Sequence, residues 1–164
     1  MKKSVLKVQM FGSYEIEYEG NPVSFERNTT TKTNQLMQIL LQAGEKGVTR
    51  AKLLSDLFGN EEMSNPANSL RATVFRLRRL LAAAGLPEDE YVTIRGGSYY
   101  WTSGIPYELD AHQFEELLKK AEKENDLEQK KSYIEEACEL YRGEFLPQLG
   151  AEGWAVVLNV YYKN

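Results

Sequence analysis

The spacing of apolar residues changes twice within the first 103 residues of this chain, and this change limits the folds that it can adopt. Val5–Met10 and Tyr14–Tyr18 alternate apolar and polar residues, which is typical of the strands of a hairpin. Three segments with helical spacing follow, and residues 91–102 return to alternation. This order predicts an α+β domain in which three helices lie between a small antiparallel sheet and a terminal hairpin.

Turn and capping residues bound the predicted elements of this domain. A third strand over Val23–Phe25 follows the turn at Gly20–Pro22 and completes the small sheet. The last of the three helices runs from about residue 65 to residue 84 and is closed by Gly85–Pro87. The terminal hairpin turns at Gly96–Ser98, so the order of elements is that of a winged helix.

The distribution of charge divides the chain near residue 104. Residues 1–103 carry 13 lysines and arginines against 11 acidic residues, whereas residues 104–164 carry 7 against 13. A polar stretch over residues 102–106 coincides with this change, so we expect one domain over residues 1–103 and a helical domain over residues 106–164. Apolar stripes in the second domain predict a helical hairpin of about 34 residues, close to the tetratricopeptide period, followed by a third helix.

The third predicted helix carries the strongest functional signal. Its apolar residues fall within one narrow arc that we expect to pack on the core, namely Leu70, Val74, Leu77 and Leu81. The predicted exposed face consists of Arg71, Ala72, Phe75, Arg76 and Arg79, with Arg78 on the flank nearer the core. No acidic residue lies between Glu62 and Glu88. The charge around this helix is therefore positive.

Arginine and aromatic side chains on one helix face suit the major groove of duplex DNA. The arginine fork bonds guanine O6 and N7 or clamps phosphate oxygens, and an exposed phenylalanine can contact a thymine methyl. We expect Arg71 and Phe75 to contact bases, and Arg76 and Arg79 to contact phosphates. The short side chains of Asn68 and Ala72 would let the backbone approach the bases. Solvated helix faces also carry arginines, so this helix alone does not decide the function.

Further DNA contacts are predicted at the hairpin turn and at two helix starts. Arg95, Gly96 and Gly97 form a basic turn that would lie on backbone phosphate or enter the minor groove, although an ordinary β-turn has the same composition. Thr31, Lys32 and Arg50 lie at predicted helix starts, where backbone N–H groups favour phosphate oxygens. Helix capping explains the threonine equally well.

With these elements in order, the sequence resembles the OmpR-type winged helix of SARP-type (AfsR-like) bacterial transcriptional activators. The resemblance covers nearly the whole chain and rests on Val8–Gly12, Val48–Arg50, Leu70–Leu81, Ile94–Trp101, Phe114–Leu118, Leu140–Pro147, Glu152 and Trp154. It implies a winged-helix domain over residues 1–103, followed by part of the tetratricopeptide-like bacterial transcriptional activator domain. It also implies sequence-specific binding of double-stranded DNA, with the helical domain forming a homodimer or contacting RNA polymerase.

Other classes of function find little support in the sequence. It has no phosphate-binding glycine loop and no Gly-x-Ser-x-Gly motif, and one His with one Cys cannot build a usual zinc site, so we expect no catalysis, metal or cofactor. We expect Cys138 to be a small buried side chain in a reducing cytoplasm. No segment approaches the ~18 apolar residues of a membrane span, so no membrane contact is expected. The main alternative is a protein-binding adaptor that uses the helical domain and does not bind DNA.

Overall fold

Contacts group the chain into two units in the computed structural model, which describes residues 5–23, 31–59, 65–87, 89–102, 104–150 and 152–163. One unit is Val23–Pro106, and the other combines Met1–Pro22 with Tyr107–Asn164. No helix within the described ranges is long and apolar enough to cross a membrane.

Seven strands and six α-helices follow one another in these described ranges. The strands are β1 (Leu6–Gln9), β2 (Glu15–Tyr18), β3 (Asn21–Pro22), β4 (Val48–Thr49), β5 (Tyr91–Arg95), β6 (Ser98–Thr102) and β7 (Tyr107–Leu109). The helices are α1 (Lys32–Ala43), α2 (Arg50–Phe58), α3 (Pro66–Ala83), α4 (Asp110–Lys123), α5 (Leu127–Leu140) and α6 (Gly153–Lys163). Short 3₁₀ helices cover Gly44–Lys46 and Pro147–Leu149.

The Val23–Pro106 unit packs three helices against one antiparallel sheet with the strand order β4-β6-β5. Its fully buried side chains come from all three helices and from the sheet, and they include Leu36, Leu40, Leu41, Leu53, Leu57, Leu70, Leu77, Leu81 and Val92. Three helices followed by a hairpin confirm the predicted winged-helix arrangement. The two-residue strand β4 was not predicted, because so short a segment carries no periodic signal.

Side-chain caps fix where the three helices of this unit begin. Thr31, Thr49 and Asn65 each accept a hydrogen bond from the backbone N–H three residues further on, at 3.2 Å in every case. Such bonds satisfy N–H groups that have no partner within the helix. Pro66 lies in the first turn of α3, where its missing N–H and fixed φ do no harm.

The other unit combines a sheet of order β3-β2-β1-β7 with α4, α5 and α6. Strand β1 pairs antiparallel with β2 and parallel with β7, with Leu6 opposite Tyr107 and Val8 opposite Leu109. Helices α4 and α5 form the predicted helical hairpin, and α6 is the predicted third helix. The observed third strand, β3, ends at Pro22, before the strand that was predicted over residues 23–25. Ser24 and Phe25 of that predicted strand lie outside the described residues.

The grouping of the N-terminal strands differs from the domain division predicted from the sequence. Residues 1–22 belong with the helical part rather than with the winged helix to which the division at 103 assigned them. The physical cause is the β1–β7 pairing together with the buried carboxylate of Asp110. Its Oδ1 accepts N–H groups from Met10 at 2.9 Å and Ala111 at 2.8 Å, and its Oδ2 accepts that of Phe11 at 3.0 Å.

Two segments that carry the family resemblance are in direct contact in this unit. The Gly12 N–H donates to the carbonyl of Glu144 at 2.9 Å, and the Leu146 N–H donates to that of Met10 at 2.8 Å. A side chain at Gly143 would place its Cβ 2.9 Å from the Cα of Gly12, so the approach of the two backbones requires glycine there. The Phe11 ring completes the contact within a cluster of aromatic rings from Phe114, Tyr141, Phe145 and Tyr162.

The prediction that Cys138 is buried was wrong. Its side chain is exposed on α5, and the neighbouring Ala137 occupies the buried position instead. The two residues are one position apart on a helix, about 100° of rotation, which is enough to move a side chain from the core to solvent. A stripe of apolar residues therefore does not determine which of two adjacent small residues is buried.

Loss of the Asp110 carboxylate should destabilise its unit. Burial raises the pKa of Asp110, and the N–H groups of Phe11, Met10 and Ala111 oppose that shift. Asp110→Ala would leave buried N–H donors without an acceptor, so we expect the free energy of unfolding to fall by about 2–3 kcal/mol. Urea unfolding followed by Trp154 fluorescence in a Trp101→Phe background measures this loss.

The matched control is Asp126→Ala, which removes an exposed carboxylate that caps α5 through one N–H bond at 3.2 Å. We expect it to lower the free energy of unfolding by about 1 kcal/mol. Equal losses for the two variants would show that the buried Asp110 network does not hold β1 to the start of α4.

Candidate nucleic-acid interface

Buried side chains determine which face of α3 points outward. Leu70 and Leu81 are completely buried, and Val74 and Leu77 are nearly so, which confirms the predicted core stripe. Thr73 is also buried, and its hydroxyl donates to the Ser69 carbonyl at 2.7 Å. A helix held by four such side chains cannot rotate, so the residues between them are presented to solvent.

The outward face of α3 contains the residues that the sequence singled out. Exposed side chains are those of Asn68, Arg71, Ala72, Phe75, Arg76, Arg78 and Arg79. Phe75 is 61% exposed, which is unusual for a side chain of its size. It lies in a shallow depression with Ala72, Arg76, Arg79, Leu80 and Ala83. Leu80 and Ala83 were missed, although they lie four residues beyond Arg76 and Arg79 on the same face.

The positive charge of this face is not neutralised by acids of the described chain. None of its four arginines forms an ion pair with a described carboxylate. Arg71 Nη1 donates to Asn68 Oδ1 at 3.3 Å, and the Arg79 guanidinium lies 5.8 Å from the centre of the Phe75 ring. These are weak contacts with neutral groups, so the guanidinium charges stay available to an anion.

Arg78 differs from the other three arginines. Its Nη2 donates to the backbone carbonyl of Val92 in β5 at 2.6 Å. The described partner of Arg78 is therefore a neutral carbonyl and not a carboxylate. Because the bond joins α3 to the first strand of the terminal hairpin, Arg78 positions the helix relative to the hairpin.

The hairpin turn requires its two glycines. Gly96 and Gly97 have φ values of +58° and +80°, and they join Arg95 to its pairing partner Ser98. Positive φ at both central residues is the requirement of a type I′ turn. Nothing lies within 4 Å of the position that a Cβ would take at either glycine, so the turn projects into open space.

Tyr100 supports the arginine of this turn and was not predicted to do so. The Arg95 guanidinium lies 4.8 Å from the centre of the Tyr100 ring. Since Arg95 pairs with Ser98 and Thr93 pairs with Tyr100, the two side chains are diagonal neighbours on one face of the hairpin. A two-residue turn fixes that register, so this contact was accessible from the sequence.

The predicted residues at the helix starts have different surroundings. The Arg50 N–H donates to the Gly97 carbonyl at 3.0 Å, which brings the start of α2 to the hairpin turn. The Lys32 ammonium instead donates to the Leu57 carbonyl at 2.5 Å and lies 5.7 Å from the centre of the Phe58 ring. Thr31 caps α1. Arg50 and the turn therefore form one basic cluster, whereas Lys32 is bound to the end of α2.

Within the described residues no group of three or more His, Cys, Asp and Glu side chains could hold a metal ion. The outward face of α3 and the basic cluster at the hairpin turn together form the candidate site.

Comparison with known proteins shows which domain family the winged helix resembles. Residues 26–101 match the family described as transcriptional regulatory protein, C terminal. Protein RcaC of Microchaete diplosiphon is 30% identical over 121 residues, which cover 68% of this chain. The winged-helix part of the chain is therefore similar to the C-terminal domain of transcriptional regulatory proteins.

The chain also shares its fold with a solved structure, that of Mycobacterium tuberculosis EmbR in complex with a low affinity phosphopeptide. The TM-score is 0.76 at 18% sequence identity, and the match covers 98% of this chain. The fold is therefore a winged helix combined with a helical part. The chain spans 18% of the length of RcaC and 42% of the EmbR chain.

Removal of Arg78 should lower stability more than removal of Arg76, its neighbour on α3. Arg78→Ala removes the bond to the Val92 carbonyl, and we expect a loss of about 1 kcal/mol in the free energy of unfolding. Arg76→Ala removes no intramolecular bond in the described structure and should change stability by less than about 0.5 kcal/mol. Urea unfolding followed by Trp101 fluorescence in a Trp154→Phe background compares the two. Equal stabilities would contradict the structural role of Arg78.

Proposed function

We propose that this protein binds double-stranded DNA sequence-specifically and activates transcription, with α3 in the major groove. The observation that carries this proposal is the outward face of α3, on which unpaired arginines surround an exposed phenylalanine. Helices of this kind enter the major groove, where arginine forks meet guanine and phosphate. The similarity of residues 26–101 to the C-terminal family of transcriptional regulatory proteins supports the proposal.

The positions of the side chains on α3 support a proposed division of roles. Arg71 and Phe75 contact base edges, and the small Ala72 with the short Asn68 allows close approach of the helix. Arg76 and Arg79 contact phosphates. At the hairpin turn, Arg50 and Arg95 contact the adjacent backbone, and the open glycine turn lies on phosphate or in the minor groove.

The helical part supplies protein contacts in this proposal. Residues 104–164 carry 13 acidic residues against 7 basic ones, so they do not favour a polyanion. A second copy of the chain and RNA polymerase are the partners that we propose for it, in the cytoplasm. A protein adaptor that does not bind DNA is the outcome against which this proposal is tested.

Salt dependence of binding tests the proposal directly. Fluorescence anisotropy of a labelled random-sequence duplex, titrated with the protein at several salt concentrations, measures affinity and its electrostatic part. Four phosphate contacts, from Arg50, Arg76, Arg79 and Arg95, give an expected slope of log affinity against log salt of about −3 to −4. Sequencing of the bound fraction then gives the preferred site. An absence of binding even at low salt would favour the adaptor.

Two substitutions on α3 should have different effects on recognition. Arg71→Ala should relax the preference at one base pair by about 1–3 kcal/mol, because a bidentate contact with guanine is lost. Arg76→Ala should weaken binding to all sequences alike and reduce the salt slope by about 1. Binding to the selected duplex and to its single-base variants measures both effects.

Lys119→Ala serves as the control, since it removes an exposed cation of α4 that has no place in the proposed interface. This variant should change neither the base-pair preference nor the slope of log affinity against log salt. Equal loss of preference from Arg71→Ala and Arg76→Ala would contradict the division into base and phosphate contacts.

A further inference from the structure

Phe75 lines an apolar depression on the outward face of α3. The residue is 61% exposed, and the side chains of Ala72, Leu80 and Ala83 also line the depression. Exposure of so much aromatic surface costs free energy in the unbound protein. The arrangement therefore indicates a partner that covers the ring.

The charges around this depression restrict what that partner can be. Arg76 and Arg79 line it, Arg71 lies one helical turn before Phe75, and no carboxylate lines it. An apolar protein surface would have to desolvate these guanidinium groups, which is unfavourable. A polyanion that presents one small apolar group fits better. In the major groove of DNA, that group is the methyl at C5 of a pyrimidine.

The spacing of the two base-contacting residues gives the position of the methyl. Arg71 and Phe75 are four residues apart on α3, so their Cβ atoms are separated by about 5–6 Å. Successive base pairs are about 3.4 Å apart along the duplex. The methyl contacted by Phe75 is therefore one or two base pairs from the guanine bound by Arg71.

We propose that Phe75 determines specificity for one C5-methylated pyrimidine, either thymine or 5-methylcytosine, one or two base pairs from the guanine that Arg71 binds. The inference rests on the proposed insertion of α3 into the major groove. The Arg79 guanidinium lies 5.8 Å from the ring centre, beside the proposed methyl contact. The contact recognises the methyl rather than the base, so thymine and 5-methylcytosine are equivalent at this position.

The experiment uses the duplex selected from random sequence, with each thymine replaced in turn by deoxyuracil, which removes only the methyl. We expect affinity to fall about fourfold at one position, the value for one buried methyl group, and to change little elsewhere. A duplex with cytosine at that position should bind about as weakly as the duplex with uracil. A duplex with 5-methylcytosine there should recover the fourfold higher affinity. The methyl-sensitive position must lie one or two base pairs from the base pair at which Arg71→Ala relaxes the sequence preference.

Phe75→Ala should abolish the difference between thymine and uracil, and Phe75→Leu should retain part of it. The matched control is Ile94→Ala, because Ile94 is an exposed apolar side chain of β5, 53% exposed, that lies outside the depression. This variant should keep the full difference in affinity between the thymine and uracil duplexes.

Each other outcome overturns the inference. Equal binding of thymine and uracil at every position would refute methyl recognition and leave the proposed function standing, since the duplex would still be bound. A difference that persists in Phe75→Ala would refute the assignment to Phe75. Failure to bind any duplex would refute both the inference and the proposed function.

Discussion

The candidate interface depends on the inner face of α3. Leu70, Val74, Leu77 and Leu81 are buried along one side of this helix, and they fix its rotation. Because successive residues differ by about 100° around a helix, every outward side chain follows from that constraint. The bond from Arg78 to the Val92 carbonyl joins the same helix to β5. Helix and hairpin are thus held in a defined relation without any charge pairing that would consume the outward arginines.

The second unit depends on a different constraint, the buried carboxylate of Asp110. Taking a carboxylate out of water is costly, and burial does raise the pKa of Asp110. Three backbone N–H groups offset this cost. Two of them belong to residues 99 and 100 positions away, and the third belongs to the start of α4. One side chain therefore connects the N-terminal strands to the helical part. This connection explains why residues 1–22 group with the helical part.

Elements with long periodic patterns could be predicted from the sequence, and elements that depend on distant partners could not. The apolar stripes of α1, α3, α4 and α5 each extend over several turns and therefore specify the element, and in α3 the stripe also specifies the buried face. Strand β7 has three residues and exists because β1 lies beside it. The sequence does not distinguish Asp110 from an ordinary acidic residue in the first turn of a helix. Only the fold shows that it accepts N–H groups from Met10 and Phe11.

The same distinction applies to the arginines and lysines of the site. Periodicity predicts that Arg71, Arg76 and Arg79 are exposed, but it cannot show that Lys32 and Arg78 donate to backbone carbonyls of other elements. The net charge of the chain is a poorer guide to the binding partner than the periodicity of the helix. Exposed charges are screened beyond about 8 Å at physiological ionic strength, so a partner responds to the charge near the point of contact. The overall charge of −4 therefore does not oppose DNA binding by a helix whose own segment, residues 63–87, contains four arginines and no acid.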